Sequence, residues 1–154
     1  MSHPQSIPSH PVDVRARIQD SFDRQGMMRH LGARVVHAEP GLVEVALPYS
    51  DKVAQQQGGF HGGAMGALAD IACGYAALTV AEPGMEVTTV EYKINFLAAF
   101  KAGELRAKGR VIRAGKRLII TQGEVTHHAA DGQVSDCAVM QATIAPVPNK
   151  VLTT

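Results

Sequence analysis

The stretch GGAMGALADIACGYAALTVA, residues 62–81, sets the expectations for the whole fold. Its twenty residues are long enough to span a bilayer as a helix, but they are mostly alanine and glycine, and Asp70 lies near the centre. An acid at the centre of a spanning helix costs roughly 2.5–3.5 kcal/mol on insertion scales. The stretch is therefore predicted to be a buried helix that ends before Pro83-Gly84, in a protein that does not cross a membrane.

On a helical wheel, the long helix has two unlike faces. The larger side chains fall on one side and are expected to pack on a sheet: Met65, Leu68, Ile71, Tyr75, Leu78 and Thr79. The opposite side surrounds Asp70 with small residues: Gly62, Gly63, Gly66, Cys73, Gly74 and Ala77. Such a face is expected to leave a shallow groove that a second backbone or a thin ligand can approach closely.

Hydrophobic patterns on either side of this helix predict the remaining elements. Residues 12–31 follow a helical stripe that stops at Gly32, and two strands joined by Pro40-Gly41 come next, at 33–39 and 42–48. After the long helix, four stretches have the character of strands in a meander: 86–100, 104–113, 117–129 and 133–147. The order predicts an α+β fold with an antiparallel sheet, one long central helix and an N-terminal helix.

Length and composition indicate a loose N-terminal tail, residues 1–11, followed by one domain, residues 12–154. Of the 154 residues, 45% are hydrophobic and 19% are charged, and the net charge is +1. This balance, together with the absence of tryptophan, argues against a nucleic-acid-binding protein. The first residues contain no apolar stretch of the kind found in secretory signals, which predicts a cytoplasmic protein.

The two cysteines, Cys73 and Cys137, belong to no Cys-x-x-Cys or Cys/His cluster, so no metal site is predicted. Spacing alone leaves a disulfide between them open. Two reduced, buried thiols are the expectation.

Two features of the central stretch can carry chemistry. Asp70 is either a structural acid, bonded to a neighbouring strand or capping a partner helix, or a general base or nucleophile in the groove. The turn GGFHGG, residues 58–63, is either a tight loop or a place where backbone N–H groups bind an anion or polarise a carbonyl. Asp70 lies about 12 Å along the helix axis from Gly62, too far for both to reach one carbon. If both act on one substrate, the acid must come from a second copy of the chain, packed helix to helix.

The stretch QQQGGFHGGAMGALADIACGYAA, residues 55–77, resembles the signature of hotdog-fold acyl-CoA thioesterases. It is most similar to the branch of the phenylacetic acid pathway, the PaaI type, in which His-Gly-Gly opens the central helix and an Asp follows nine residues after the His. His61 and Asp70 have that spacing. The segment VEYKINFLAAFKAGELRAKGRVIRAGKR, residues 90–117, is similar to the strand pair of the family. The resemblance extends over about residues 30–145 and implies a hotdog fold, in which a curved antiparallel sheet wraps around the central helix.

The resemblance also implies catalytic roles. Gly62 would donate its backbone N–H to a thioester carbonyl, and Asp70 of the facing subunit would be the nucleophile or the general base. Gln55 stands where relatives often carry Asn, and it would help to hold the attacking water or the carbonyl.

Two further residues receive roles in the same way. His61 would orient the loop, and Thr89 would help to position the water, although either residue can instead be structural. Gly63 and Phe60 are expected to contact the substrate.

Basic residues are concentrated between Lys101 and Arg117, where only Glu104 opposes them. This stretch is either a solvated outer face or a docking surface for the phosphates of coenzyme A. The candidates for phosphate contacts are Arg113, Lys116 and Arg117.

The expected function is hydrolysis of acyl-CoA or aryl-CoA thioesters by a homodimer or homotetramer. No metal or other cofactor is expected, since coenzyme A is part of the substrate. One alternative is a hotdog dehydratase or hydratase, which typically pairs a His with an acid in a different sequence setting. The other is a non-catalytic acyl-CoA-binding protein, which is expected to lack the acid at Asp70. The sequence leaves the acyl group open.

Overall fold

The long helix forms as predicted and lies against a six-stranded antiparallel sheet, as seen in a computed structural model that describes residues 13–150. The elements in chain order are α1 (Val14–Asp23), α2 (Gly26–Leu31), β1 (Arg34–Glu39), β2 (Leu42–Pro48), α3 (Gly62–Leu78), β3 (Met85–Phe96), β4 (Glu104–Ala114), β5 (Ile119–His128) and β6 (Val134–Pro148). The predicted α+β hotdog fold is confirmed. The tail predicted for residues 1–11 lies outside the described residues.

The sheet order is β1-β2-β4-β5-β6-β3, so the predicted four-strand meander is wrong for β3. This strand lies at the far edge beside β6, while β2 takes the place next to β4, with Val45 opposite Ala107. Both of these side chains are fully buried. Residues 97–103, which connect β3 to β4, are longer than a tight hairpin loop, and they let the chain cross from the edge to the middle of the sheet.

The helical pattern of residues 12–31 forms two helices and not one. α1 ends at Asp23, and Gln25 has an extended backbone before α2 begins at Gly26. The side-chain amide of Gln25 donates to the Tyr75 hydroxyl oxygen at 2.8 Å, and the Phe22 ring packs beside that of Tyr75. The break therefore coincides with tertiary contacts to α3 that periodicity does not report.

Small residues bring α3 unusually close to the sheet. Gly109 on β4 and Gly123 on β5 are cross-strand partners beneath the helix. A Cβ on Gly109 would lie 2.3 Å from the carbonyl carbon and oxygen of Ala72, and a Cβ on Gly123 would lie 3.0 Å from the Cys73 sulfur. The backbone of α3 therefore packs directly against Gly109, with no side chain between the helix and the strand.

This packing corrects the predicted faces of α3. Cys73 and Ala77 are fully buried and do not line an open groove, whereas Ile71, expected on the sheet, is only partly buried and lines the cavity beside Asp70. The predicted faces were wrong because they were assigned from side-chain size alone. The sheet has glycines beneath the helix, and small helix residues pack closely against them. Within residues 13–150, no helix combines the length and the apolar character that crossing a membrane takes.

The two thiols are free and buried, as predicted. Burial raises the pKa of Cys73 to about 11, and burial also raises the pKa of Cys137 to about 11. Both groups are therefore protonated at neutral pH, and neither is an activated nucleophile.

Replacing Gly109 by alanine should lower the free energy of unfolding by about 3 kcal/mol, because the new Cβ overlaps the α3 backbone, which cannot rotate away. Urea denaturation measures the loss. The matched control is Gly123→Ala, whose Cβ meets a cysteine side chain and should cost clearly less. A wild-type urea midpoint in Gly109→Ala would contradict the close approach of α3.

Candidate active site

Asp70 and Thr89 form the first part of the candidate site. Asp70 lies half-buried on α3, two turns from the helix start, and its carboxylate Oδ1 accepts a 2.7 Å hydrogen bond from the Thr89 hydroxyl on β3. Thr89 was predicted to position a water, and in this chain its hydroxyl orients the carboxylate itself. A carboxylate held on one oxygen keeps its other oxygen available to a water or a carbonyl carbon.

A bulge in β3 brings Thr89 to Asp70. The register against β6 shifts between Thr89 and Glu91, so Val90 is the extra residue. Strict alternation predicts that Thr89 faces away from Tyr92 and Phe96, and the bulge reverses this. Tyr92 and Phe96 contact α3 at Gly66 and Gly62, and Thr89 contacts it at Asp70.

The N-terminus of α3 forms the second part. His61 is the N-cap, and its ring Nδ1 accepts a 2.8 Å hydrogen bond from the Gly63 N–H. The N–H groups of Ala64 and Met65 donate to the His61 carbonyl. Within residues 13–150, the Gly62 N–H has no acceptor. The helix start therefore presents one uncommitted donor, at Gly62, to an approaching oxygen.

This arrangement bears on the roles predicted for two residues. His61 orients the helix start, in line with its predicted role, because it consumes one donor as a cap. The Gly63 N–H is bonded to the His61 ring, and a contact between Gly63 and the substrate stays a prediction.

The loop before α3 holds Gln55 and Phe60 in structural contacts. The Gln55 side-chain oxygen accepts from the Gln57 N–H, and the Gln55 backbone closes the turn with Gly58 and Gly59. Phe60, expected to contact the substrate, is 2% exposed and packs edge-on against Tyr49. The ring is thus part of the core of this chain.

A cavity of about 140 Å³ opens beside Asp70, between α1, α3 and β3. Beside Tyr75, its lining includes three residues that the sequence did not single out as functional: Ser21, Gln25 and Glu86. Burial raises the pKa of the Tyr75 phenol, which therefore stays neutral. No sequence signal identifies these residues, because they meet only after α1 packs on α3.

The predicted phosphate-binding residues lie elsewhere. Arg113, Lys116 and Arg117 are exposed where β4 meets β5, and Lys116 shares a groove with Val80 and Glu82, beyond the end of α3. Lys101, in contrast, lies beside the glycine-rich turn, and its ammonium nitrogen would be 3.4 Å from a Cβ on Gly58. It is a further cation near the Gly62 end.

The chain thus holds two candidate half-sites. Asp70, Thr89 and the cavity form one, and Gly62, capped by His61 and followed by the loop of Gln55, forms the other. Eight residues of helix, about 12 Å, separate Gly62 from Asp70 within one chain.

Comparisons with known proteins agree with this architecture. The Thioesterase superfamily matches residues 57–130, which include both half-sites apart from Gln55 and the α1 side of the cavity. A crystal structure of a thioesterase family protein from Silicibacter pomeroyi is 34% identical, with a TM-score of 0.84, over 88% of this chain and 99% of that one. The 1,4-dihydroxy-2-naphthoyl-CoA hydrolase of Listeria monocytogenes is 32% identical over 66% of this chain and 82% of its own length.

The PaaI protein of E. coli, from the phenylacetic acid degradation operon, shares the fold. Its structure has a TM-score of 0.78 over 90% of this chain and 96% of its own, at 18% identity. The resemblance found in the central stretch is thus confirmed at the level of fold and superfamily. The chain belongs to the thioesterase superfamily.

Proposed function

We propose that the protein hydrolyses acyl-CoA or aryl-CoA thioesters in a site shared between two subunits. The observation that carries the proposal is the pair of half-sites: an oriented carboxylate at Asp70 and an uncommitted N–H at Gly62, on one helix but too far apart to serve the same carbon. The Listeria relative, named as a hydrolase of an aryl-CoA, supports the choice of coenzyme A.

The edge strand β3 provides the surface for pairing. Within the described residues it is bonded to β6 on one side only. Its exposed side chains are apolar at Val90 (58% exposed), Tyr92 (44%) and Phe96 (53%). An unpaired edge with apolar side chains favours association with a second copy.

A twofold axis beside this edge would join the half-sites. Along β3, Phe96 contacts Gly62 at one end and Thr89 contacts Asp70 at the other. In antiparallel pairing of two β3 strands about a point between these ends, the Gly62 end of one subunit faces the Asp70 end of its partner. Each interface then contains two composite sites.

The chemistry follows from the two groups. The Gly62 N–H, at the positive end of α3, stabilises the charge that develops on the carbonyl oxygen. Asp70 either takes a proton from the attacking water or attacks the carbonyl carbon itself, and the resulting anhydride is then hydrolysed. In both routes water supplies the new acid oxygen, and the C–S bond breaks to release coenzyme A as a thiol.

The direct test is thiol release, followed with a chromogenic reagent, from phenylacetyl-CoA, benzoyl-CoA and straight chains from acetyl to palmitoyl. The proposal expects turnover of at least one member. A hydratase or dehydratase would alter the acyl chain without releasing the thiol. A folded oligomer that releases no thiol from any member would overturn the assignment to coenzyme A thioesters.

Dilution should reduce activity in step with dissociation, because a lone subunit has only half of each site. Sedimentation at assay concentrations should give the mass of a dimer or a larger multiple. Specific activity should fall as the monomer fraction rises on dilution. A stable, fully active monomer would disprove the shared site.

A further inference from the structure

We infer that His127 on β5 is a positioning residue, which sets the place of the Gly62 N–H through the loop of residues 97–103. The inference rests on the proposed function, in which that N–H stabilises charge on the thioester carbonyl. The His127 side chain is 6% exposed. Buried polar groups in native proteins are hydrogen-bonded, so the partners of His127 show what it holds in place.

The imidazole of His127 makes two contacts with the loop of residues 97–103. Its Nε2 lies 2.9 Å from the carbonyl oxygen of Ala102. A carbonyl only accepts, so Nε2 carries a proton and donates it. The ring also stacks on that of Phe100, with centroids 4.4 Å apart and planes at 9°. The hydrogen bond and the stack together hold the loop at two points.

The backbone of this loop needs such support. Ala102 has a φ of 59°, and within residues 13–150 it is the one residue other than glycine with a positive φ, a region that residues with a Cβ rarely adopt. Gly103 follows with a φ of 69°, and a Cβ there would lie 2.8 Å from the Nε2 of His127. A sparsely populated conformation persists only when its surroundings fix it. The bond from His127 to the Ala102 carbonyl is one of the contacts that do so.

The same loop holds the glycine-rich turn in front of α3. The Phe100 carbonyl oxygen accepts a 2.9 Å hydrogen bond from the Phe60 N–H, and it would lie 3.0 Å from a Cβ on Gly59. The Phe60 ring meets the His127 ring edge-on, with centroids 6.4 Å apart. Phe60 precedes Gly62 by two residues, so a shift of the loop moves the start of the helix. A misplacement of about 1 Å can cost a hundredfold in rate.

The test removes the Nε2–H donor and keeps an aromatic ring. His127→Phe should lower kcat by about tenfold, a part of the loss expected when an oxyanion donor is absent. Thiol release from the acyl-CoA that the wild type hydrolyses fastest measures it. KM should stay almost unchanged, because the charge on the oxygen develops in the transition state. His127→Gln, whose amide can donate from near the place of Nε2, should restore most of the lost kcat.

The matched control is His128→Phe. His128 lies on the opposite face of β5, where its Nε2 is bonded to the Thr126 hydroxyl and not to the loop. This variant should keep the wild-type kcat.

A second background separates positioning from stability. Gly62→Pro has no N–H to position, since proline lacks one. His127→Phe should therefore cause no further loss of kcat in that background, whereas a side chain that only stabilises the fold would lower kcat by the same factor in both. If His127→Phe does not fold, Phe100→Leu breaks the stack from the loop side. It should show the same dependence on Gly62.

Wild-type kcat in a folded His127→Phe variant overturns the inference, and so does an equal loss in both backgrounds. A glutamine variant as slow as the phenylalanine variant overturns it too. Each of these results leaves the proposed function intact. Absence of thiol release by the wild type from every acyl-CoA overturns the proposed function and this inference with it.

Discussion

Asp70→Asn should lower kcat by about a hundredfold to ten-thousandfold, the range for loss of a positioned base. The amide keeps the shape of the side chain and can still accept from the Thr89 hydroxyl. It can neither take up a proton from water nor attack a carbonyl. The variant should therefore fold and associate like the wild type, and thiol release from the best acyl-CoA of the panel measures the loss.

A second acid shows whether the loss is specific. Asp51→Asn removes the same charge from an exposed residue in the short turn before the glycine-rich loop, and it should keep full turnover. Wild-type activity in Asp70→Asn, with sedimentation and unfolding unchanged, would rule out Asp70 as the catalytic group.

Gly62→Pro should lower kcat by about a hundredfold to a thousandfold, the cost of losing one oxyanion donor. Gly62 is the first residue of α3, where proline is well tolerated. His61 before it has an extended backbone (φ −68°, ψ 135°), which suits a residue that precedes proline. The substitution therefore removes the N–H while α3 still forms. Steady-state kinetics should show the loss mainly in kcat, because the charge on the oxygen develops in the transition state.

The Gly62→Ala variant distinguishes the effect of losing the N–H from the effect of adding a side chain. Its Cβ would lie 3.2 Å from the end of the half-exposed Phe96 ring, which can move, and the N–H is retained. This variant should lose much less activity than Gly62→Pro. Equal losses in both variants would show that shape, and not the donor, matters at this position.

Mixing the two inactive variants tests the shared site directly. In a dimer of one Asp70→Asn chain and one Gly62→Pro chain, one composite site keeps both groups and the other has neither. Co-expression with random pairing should therefore recover about a quarter of wild-type activity per subunit. No recovery in purified mixed dimers would place both groups in the same subunit.

The local hydrophobic pattern predicted most helices and strands, but it did not predict which strands lie side by side in the sheet. The alternation within residues 86–100 indicated a strand, and β3 forms there. Its place beside β6 depends on which partner buries the most apolar surface, a comparison across the whole chain. The same limit applies to α3, where Gly109 and Gly123, more than thirty residues away along the chain, select the buried face.

The site was predictable where it depends on residues of one helix. His61, Gly62 and Asp70 were identified from their spacing, and a helix has a fixed rise, so the separation of Gly62 and Asp70 followed from the sequence alone. That separation is the basis of the proposed site between two chains. The cavity was not predictable, because Gln25, Tyr75 and Glu86 lie on three separate segments that meet only after packing.

Sequence by itself thus determined the central helix, the glycine-rich turn before it and the acid two turns along it, since all three depend on local backbone geometry. Tertiary structure alone decided that Thr89 faces Asp70, that Gly63 is capped and that Glu86 lines the cavity. A bulge at Val90 reverses the face of every preceding residue of β3, and its position depends on the register with β6. That register depends on contacts between strands about fifty residues apart, which no local pattern encodes.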